Sequence, residues 1–274
     1  MKGVGVLLAA LLLAGCGGAP QHVAGTPAPA GDATAADAMG QLGPLPSATP
    51  GAACLTARER GGVVRFRSRN GALLAGVVLG TGRVGLVMAH SNNTNLCDWI
   101  PYARVLAGQG YRALSIDLNG YGASQTSAGV PVDPRYDQDL VAAVDLLRRT
   151  GTTSVFLIGE VIGGTAAVKA AVAITPPVAG VIDVSSPAQT LNMDGVEAAR
   201  RLRVPLLCIA ADIDEFLDGT RAIAQAATDA PEHELLVVAG TIAGETTLFD
   251  PSLEPGAVQV RARVAAFLTR HSAR

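Results

Sequence analysis

The chain is short of charge and of aromatic rings, and both shortages exclude classes of function. Only 16% of its residues are charged, 4% are aromatic, and the formal net charge is -2 at pH 7. Its only lysines are Lys2 and Lys169. Because the arginines are interspersed with acidic residues, the sequence offers no basic face for a nucleic acid and no polybasic patch for a membrane. We therefore expect no nucleic-acid partner.

Cysteine is also scarce, with 4 residues in the chain, and its use is typical of an oxidising compartment. Cys208 lies in an apolar run and is expected to be buried as a small hydrophobic residue. Cys54 opens the globular part and Cys97 lies in a loop. We predict that these two form a disulfide, which would stabilise the fold by roughly 4 kcal/mol. The alternative is two free thiols.

The N-terminus has the pattern of an export signal. Lys2 precedes an apolar run at residues 4–14 that is too short to span a bilayer as a mature helix. Residues 13–16, Leu-Ala-Gly-Cys, resemble the lipobox of bacterial lipoproteins. The resemblance implies a signal peptide at residues 1–15, lipid on Cys16, and a membrane-anchored protein of the cell envelope outside the cytoplasm. The alternative is an ordinary signal peptide that is cut elsewhere.

Two further segments follow the signal. Residues 16–53 consist mainly of Ala, Gly, Pro and Thr, cannot bury enough apolar surface to fold, and are expected to form a flexible tether. The remaining ~220 residues, 54–274, are long enough for one domain with a sizeable core.

Apolar β-rich runs alternate with helical patterns along this domain, which indicates a mostly parallel sheet wrapped by helices. The predicted strands are residues 63–67, 73–79, 84–89, 112–117, 154–158, 181–185, 205–210 and 234–239. The predicted helices are residues 100–109, 135–149, 164–174, 195–201, 219–228 and 257–271. No helix separates the first two strands, so they should form an antiparallel hairpin at one edge of the sheet.

One strand-to-helix junction has the layout of a nucleophile elbow, a sharp turn that lifts one side chain above the sheet. It reads Gly-Glu-Val-Ile-Gly at residues 159–163. The middle residue is normally a serine, and here it is Val161, which has no nucleophilic atom. Because a β-branched residue is disfavoured in such a turn, we expect either a positive φ at Val161 with ~1–3 kcal/mol of strain, or a relaxed turn.

These features together resemble the α/β-hydrolase family. Residues 88–92, Met-Ala-His-Ser-Asn, look like its oxyanion loop after the third strand, and residues 117–124 are similar to its turn after the fourth. The resemblance implies a mostly parallel eight-stranded sheet flanked by helices. Between Ser186 and Val204 there is room for one helix only, so we expect no cap domain and an open cleft.

The resemblance also implies a nucleophile, an acid and a histidine, in that order. Val161 occupies the nucleophile position, Asp214 matches the acid position, and Ala243 occupies the histidine position. Valine cannot attack a carbonyl and alanine cannot carry a proton, so two of the three roles are empty. The oxyanion hole uses backbone N–H groups, expected here from Asn92 and Ile162, and these do not depend on side-chain identity.

Other histidines and serines are poor substitutes for the missing groups. His233 precedes the last strand and should lie at the wrong end of the sheet, His271 is expected to be solvated, and His90 stands at a position that is structural in the family. Three serines at strand ends are expected to be ordinary loop hydroxyls: Ser91, Ser185 and Ser186.

No metal or cofactor is expected. Residues 80–85 carry the glycines of a dinucleotide fingerprint, but a strand follows them instead of the required helix. A carboxylate site built from Glu160, Asp214 and Glu245 is the alternative, although no ligand spacing supports a metal there.

The sequence thus favours a non-catalytic relative of the hydrolases that binds a small ligand or an envelope protein in its open cleft. Two alternatives stay open. One is an active esterase-like or dienelactone-hydrolase-like enzyme that uses other residues, and the other is a chain that has kept only its stability.

Overall fold

The computed structural model of the protein describes residues 54–125, 135–240 and 249–272. The strands are β1 (Val63–Arg67), β2 (Leu73–Leu79), β3 (Val84–Ala89), β4 (Arg112–Asp117), β5 (Ser154–Glu160), β6 (Gly180–Val184), β7 (Gln189–Thr190), β8 (Met193–Asp194), β9 (Leu206–Ala211) and β10 (His233–Val238). The helices are α1 (Ile100–Gly108), α2 (Tyr136–Arg149), α3 (Ile162–Ala173), α4 (Gly195–Arg200), α5 (Leu217–Ala226) and α6 (Ala257–Ser272).

Eight of these strands form one sheet in the order β1-β2-β4-β3-β5-β6-β9-β10. The pairs β1/β2 and β2/β4 are antiparallel, and all other neighbours are parallel, which confirms the expected edge hairpin and the mostly parallel sheet. The parallel strands therefore end together, and we call this side of the sheet the carboxyl edge. The opposite side, where β5, β6 and β9 begin, is the amino edge.

The sheet has an apolar core on each face. Along β5, Phe156 and Ile158 pack with Trp99 and Phe267 on one face, whereas Leu157 packs with the α2 and α3 side chains on the other. Strands buried on both faces read as continuous apolar runs, as these do. No helix among the described residues is long and apolar enough to cross a bilayer.

One helix and one small hairpin fill the segment between β6 and β9. The predicted helix there is α4, and no cap domain is inserted. The hairpin of β7 and β8 was not predicted, because its strands are two residues long and its turn contains no glycine. It lies at the carboxyl edge, since it follows directly after β6.

The predicted disulfide is confirmed. Cys54 is bonded to Cys97 across 43 positions of sequence, and Cys208 is free and buried, as expected. Arg104 reinforces the junction by donating to the Cys54 carbonyl at 2.8 Å and to Glu59 at 2.7 Å. The first described residue of the chain is thus fixed to the loop that leads from β3 into α1.

The signal peptide, the tether and the lipid site at Cys16 lie outside the described residues. Their boundaries, and that of the 54–274 domain, stay predictions.

Removing the disulfide should destabilise the domain. The variant Cys54→Ala/Cys97→Ala is expected to lose about 4 kcal/mol of unfolding free energy in urea titrations, because a closed loop of this length restricts the unfolded chain. A reducing agent should bring the wild type to the level of the variant and leave the variant unchanged. Unaltered stability of the reduced wild type would contradict this prediction.

Candidate active site

The elbow between β5 and α3 is present in the backbone. Val161 has φ 50° and ψ −110°, so the first of the two expected outcomes is correct and the turn has not relaxed. An L-residue with a branched side chain in this region carries strain of ~1–3 kcal/mol. The strained geometry is therefore independent of a nucleophilic side chain.

Close backbone approach explains why glycines flank this turn. A Cβ on Gly159 would lie 2.1 Å from the carbonyl oxygen of Gly163. A Cβ on Gly163 would lie 2.5 Å from the carbonyl oxygen of Ala89 and 2.7 Å from that of His90, at the end of β3. The start of α3 therefore packs directly against the end of β3 and the loop that contains Asn92.

Hydrogen bonds hold both peptide groups of Val161. Its N–H donates to the carbonyl of Val184 at 3.0 Å. Its carbonyl oxygen accepts from the N–H of Thr165 at 3.1 Å and from the hydroxyl of Ser186 at 3.0 Å. The hydroxyl of Ser186 is thus used to fix the elbow, which gives this serine a structural role.

The side chain at the nucleophile position is apolar and almost fully buried. Val161 is 4% exposed and belongs to the core on the α2/α3 face. Its isopropyl group offers no lone pair for attack on a carbonyl. The neighbouring Glu160 is also buried, at 1% exposure.

The two backbone groups expected to form an oxyanion hole lie at the carboxyl edge. Ile162 is the first residue of α3, and its N–H has no partner within the helix because the first four N–H groups of any helix lack one. Asn92 follows β3 in an exposed loop, next to Asn93 with φ 59°. Their joint role as donors to an oxyanion stays a prediction.

His90 is a structural histidine. Its Nδ1 lies 2.7 Å from the carbonyl oxygen of Ser91 and donates to it, and its Nε2 accepts from the N–H of Leu118 at 3.0 Å. Burial lowers the pKa of His90 to about 4. A neutral ring with both nitrogens engaged joins the ends of β3 and β4 and has no free base to offer.

Asp117 completes this junction at the end of β4. Its Oδ1 accepts from the N–H of Leu96 at 2.7 Å and its Oδ2 from the N–H of Ala123 at 2.7 Å. Burial raises the pKa of Asp117, and these two N–H groups oppose the rise. The loops after β3 and β4 are therefore fixed to each other beside the elbow.

Asp214 lies in the turn after β9, where the acid position was predicted. Its Oδ1 accepts from the N–H of Phe216 at 2.7 Å, and the side chain is buried, at 7% exposure. Its Oδ2 is buried and has no hydrogen-bond partner among the described residues. The carboxylate is thus oriented by Phe216, and its second oxygen is buried at the carboxyl edge.

The histidine position, Ala243, and the alternative carboxylate Glu245 lie outside the described residues, in the segment that follows β10. His233 is the first residue of β10 and is exposed, so it lies at the end of the strand away from the elbow, as predicted.

The expectation that His271 is solvated was wrong. This residue is 7% exposed, its Nε2 lies 3.0 Å from Oε2 of Glu232, and its ring meets that of Phe267 edge-on at 4.8 Å. The last turn of α6 buries it because residues four apart share one face of a helix, and Phe267 directs that face into the core.

The remaining serines differ in their surroundings. Ser91 offers its carbonyl to His90 and Thr94, and no imidazole or carboxylate is hydrogen-bonded to its hydroxyl within the described residues. Ser185 is fully buried with φ 51°, and its Oγ lacks a partner in the same part of the chain. Sequence patterns gave no signal for the strained backbone of Ser185.

Apolar side chains stand at the rim of the site. Leu191, with φ 50°, forms the tip of the β7/β8 hairpin and is 58% exposed. Ile213, in the turn that carries Asp214, is 66% exposed. Within the described residues there is no group of three or more His, Cys, Asp or Glu that could hold a metal ion.

Comparison with known proteins agrees with this geometry. The family model described as serine aminopeptidase, S33, matches residues 86–207. The matched segment includes the elbow and ends before Asp214. Among curated proteins, none matches the sequence.

Solved structures of α/β-hydrolases superpose on most of the chain. An esterase from Pyrococcus furiosus has a TM-score of 0.65 at 17% identity, over 79% of this chain and 96% of the esterase. The enol-lactonase from Burkholderia xenovorans has a TM-score of 0.61 at 16% identity, over 75% of this chain and 100% of the lactonase. An esterase from Thermogutta terrifontis has a TM-score of 0.57 at 16% identity, over 75% of this chain and 98% of that esterase. The chain is therefore an α/β-hydrolase in fold.

A single methyl group at Gly163 should disrupt the elbow. Gly163→Ala is expected to lower the unfolding free energy by about 1–3 kcal/mol or more, because its Cβ would collide with two backbone carbonyls that cannot rotate away. The matched control is Gly108→Ala at the exposed end of α1, where a Cβ meets nothing within 4 Å and should leave stability equal or higher. Equal urea midpoints for the two variants would contradict the close approach.

The carboxyl of Asp183 should make stability depend on pH. Asp183 is fully buried on β6 beneath the elbow, and burial raises its pKa to about 6 although Ser186 and Cys208 oppose the rise. The folded state therefore keeps a proton that an unfolded aspartate releases near pH ~3.9. The unfolding free energy that this bound proton contributes is therefore lost as the pH rises from about 4 through about 6.

Asp183→Asn should flatten this profile and raise stability at about pH 8, because the amide is neutral at every pH. Some slope should remain, since burial also raises the pKa of Asp139 to about 7. Urea midpoints measured between about pH 4 and about pH 8 test the expectation. Asp218→Asn, whose side chain is 93% exposed, is the control and should keep the wild-type slope. An unchanged slope in Asp183→Asn would show that this carboxyl titrates normally.

Proposed function

We propose that the chain is a lipid-anchored envelope protein that binds a small ligand or a protein partner in the elbow cleft without serine-hydrolase turnover. The observation that carries the proposal is Val161, a buried apolar side chain at the nucleophile position of an otherwise strained elbow. Acyl transfer on this frame needs an oxygen or sulfur nucleophile and a base to take its proton. The sequence supplies neither at the matching positions, 161 and 243.

Retention of strain argues for use of the cleft rather than for stability alone. A φ of 50° at a β-branched residue costs free energy, and such residues persist where the surroundings enforce them, most often at functional sites. Asn93 and Ser185, which follow β3 and β6 at this edge, also have positive φ values, as does Leu191 in the β7/β8 hairpin. A segment under selection for stability alone would gain by relaxing these positions.

The chemistry of the cleft suits a ligand that is partly apolar. Leu191 and Ile213 expose apolar side chains at the rim, at 58% and 66%. The N-terminus of α3 adds backbone N–H groups and the positive end of a helix dipole, which favour a carbonyl or carboxylate oxygen. An acyl compound or a peptide carboxylate combines both features.

Two observations support the proposed location. The Cys54–Cys97 disulfide is typical of proteins outside the cytoplasm. The lipobox-like sequence ending at Cys16 would then tie the domain to the membrane through residues 16–53.

One observation favours the competing hypothesis of an active esterase-like hydrolase. Ser185 has a buried hydroxyl with no partner among the described residues, on a strained backbone at the carboxyl edge. A serine in that state is the first residue to examine for unassigned nucleophilic chemistry.

A fluorophosphonate probe should leave the purified protein unlabelled, and short 4-nitrophenyl esters should bind without turnover, because no activated serine is present. Binding should appear as saturable changes in the backbone amide NMR signals of Ile162 and Gly163. Covalent labelling that is abolished by Ser185→Ala, Ser186→Ala or Ser91→Ala would overturn the non-catalytic proposal. Absence of any saturable change would overturn the binding proposal.

Rebuilding the missing groups provides the complementary test. Since the elbow geometry is present, Val161→Ser/Ala243→His should gain measurable esterase activity. Adding Asp214→Asn to that variant should reduce the gain strongly, because the amide cannot orient and stabilise an imidazolium as a carboxylate does. Activity that is insensitive to Asp214→Asn would remove Asp214 from the acid role.

A further inference from the structure

A cavity of about 330 Å³ opens at the amino edge of the sheet, on the side away from the elbow. Its walls come from the residues at which β5, β6 and β9 begin, together with the last turns of α2 and α6. Ligand sites in proteins commonly start at about this volume. None of the residues discussed for the elbow cleft lines it.

The lining of this cavity combines polar side chains with an apolar part. Val155, Val178 and Val204 contribute branched side chains from the strand entrances. Pro177 and Pro205 add surfaces that carry no backbone N–H. An apolar body of a few carbon atoms therefore fits here without burying an unpaired donor.

Arg148 provides a positive charge at this apolar cavity. Its guanidinium donates to the carbonyls of Pro176 at 2.6 Å and Pro177 at 3.2 Å, both from Nη2. It makes no ion pair within the described residues, and burial lowers its pKa. A guanidinium has five N–H donors in a fixed fork, so Nη1 and Nε are left for another acceptor.

Two further side chains define the polar part of the lining. Arg203 lines the cavity but is already paired with Asp229. His271 is 7% exposed, its Nε2 contacts Glu232, and its buried Nδ1 has no partner among the described residues. An arginine with free N–H donors and a ring nitrogen without a hydrogen-bond partner among the described residues thus lie beside the apolar part of the lining.

The geometry points to a second binding site, for a small monocarboxylate with a short apolar body. The carboxylate would accept from Arg148, and the alkyl or aryl part would fill the space between the valines and prolines. A phosphate dianion is disfavoured because Asp145, Asp229 and Glu232 place negative charge beside the same arginines and His271. The site is independent of the elbow cleft and of the function proposed for it.

Hexanoate is a suitable probe, with 1-hexanol as its uncharged counterpart. Added to the full-length ¹⁵N-labelled protein at millimolar concentration, hexanoate should shift the amide signals of Val155, Val178 and Ala179 saturably. 1-Hexanol should bind about tenfold more weakly, because it lacks the charge-assisted hydrogen bonds to a guanidinium. Changes at Ile162 and Gly163 would report separate binding in the elbow cleft, so the affinity of the amino-edge site is read from Val155, Val178 and Ala179 alone.

Arg148→Met keeps the aliphatic stem, removes the charge, and should weaken hexanoate binding about tenfold while binding of 1-hexanol changes little. Arg149→Met, at the exposed neighbouring position, is the matched control and should bind as the wild type does. Arg148→Lys should restore part of the affinity, and thermal midpoints report whether each variant is folded.

Three results would overturn the proposal: no saturable shift at the amino edge, equal affinity for hexanoate and 1-hexanol, or shifts confined to the elbow. If Arg148→Met does not fold, the hexanoate and 1-hexanol titrations of the wild type and Arg148→Lys still decide the matter.

Discussion

The contact between Gly163 and the carbonyl oxygens that end β3 is the constraint on which the rest of the site depends. It brings the first turn of α3 against the loop after β3, and no residue with a Cβ fits there. With α3 fixed in that position, the turn that joins it to β5 has a positive φ at Val161. Val161 accepts that conformation although its branched side chain resists it. The packing around the elbow therefore holds its shape with a valine at its centre, at a cost in strain.

Around the elbow, several polar side chains hold the backbone in place. His90 joins the ends of β3 and β4, Asp117 fixes the loops that follow both, and Ser186 holds the carbonyl of Val161. At the nucleophile position, where only chemistry demands a particular residue, a valine stands instead. This combination of a retained scaffold and an apolar residue at its centre is the observation on which the proposed non-catalytic function rests.

The features predicted correctly from sequence are those that depend on periodicity or on glycine. Apolar runs located the eight sheet strands, and the glycines at 159 and 163 located the elbow. The β7/β8 hairpin was not predicted, because its strands are two residues long and its positive φ is at a leucine and not at a glycine. His271 was misjudged because burial of a terminal helix depends on long-range packing that sequence does not show. The strain at Ser185 likewise arises from tertiary contacts and leaves no local pattern.

Asp214, the residue predicted at the acid position, has structural contacts that explain its presence without catalysis. Its Oδ1 accepts from the N–H of Phe216, and its carbonyl accepts from the N–H of Leu217, so the same residue holds the turn that leads into α5. An aspartate that caps a turn in this way has a structural reason to be present, whatever becomes of the nucleophile. Its Oδ2, however, is buried without a partner among the described residues, and an unpaired carboxylate oxygen costs free energy. The side-chain oxygen of an asparagine or serine could accept the same hydrogen bond from Phe216 without burying a carboxylate. The turn therefore explains an acceptor oxygen at position 214 but does not explain a carboxylate there. The second carboxylate oxygen is therefore the atom of Asp214 that a ligand or a donor at the carboxyl edge would hydrogen-bond.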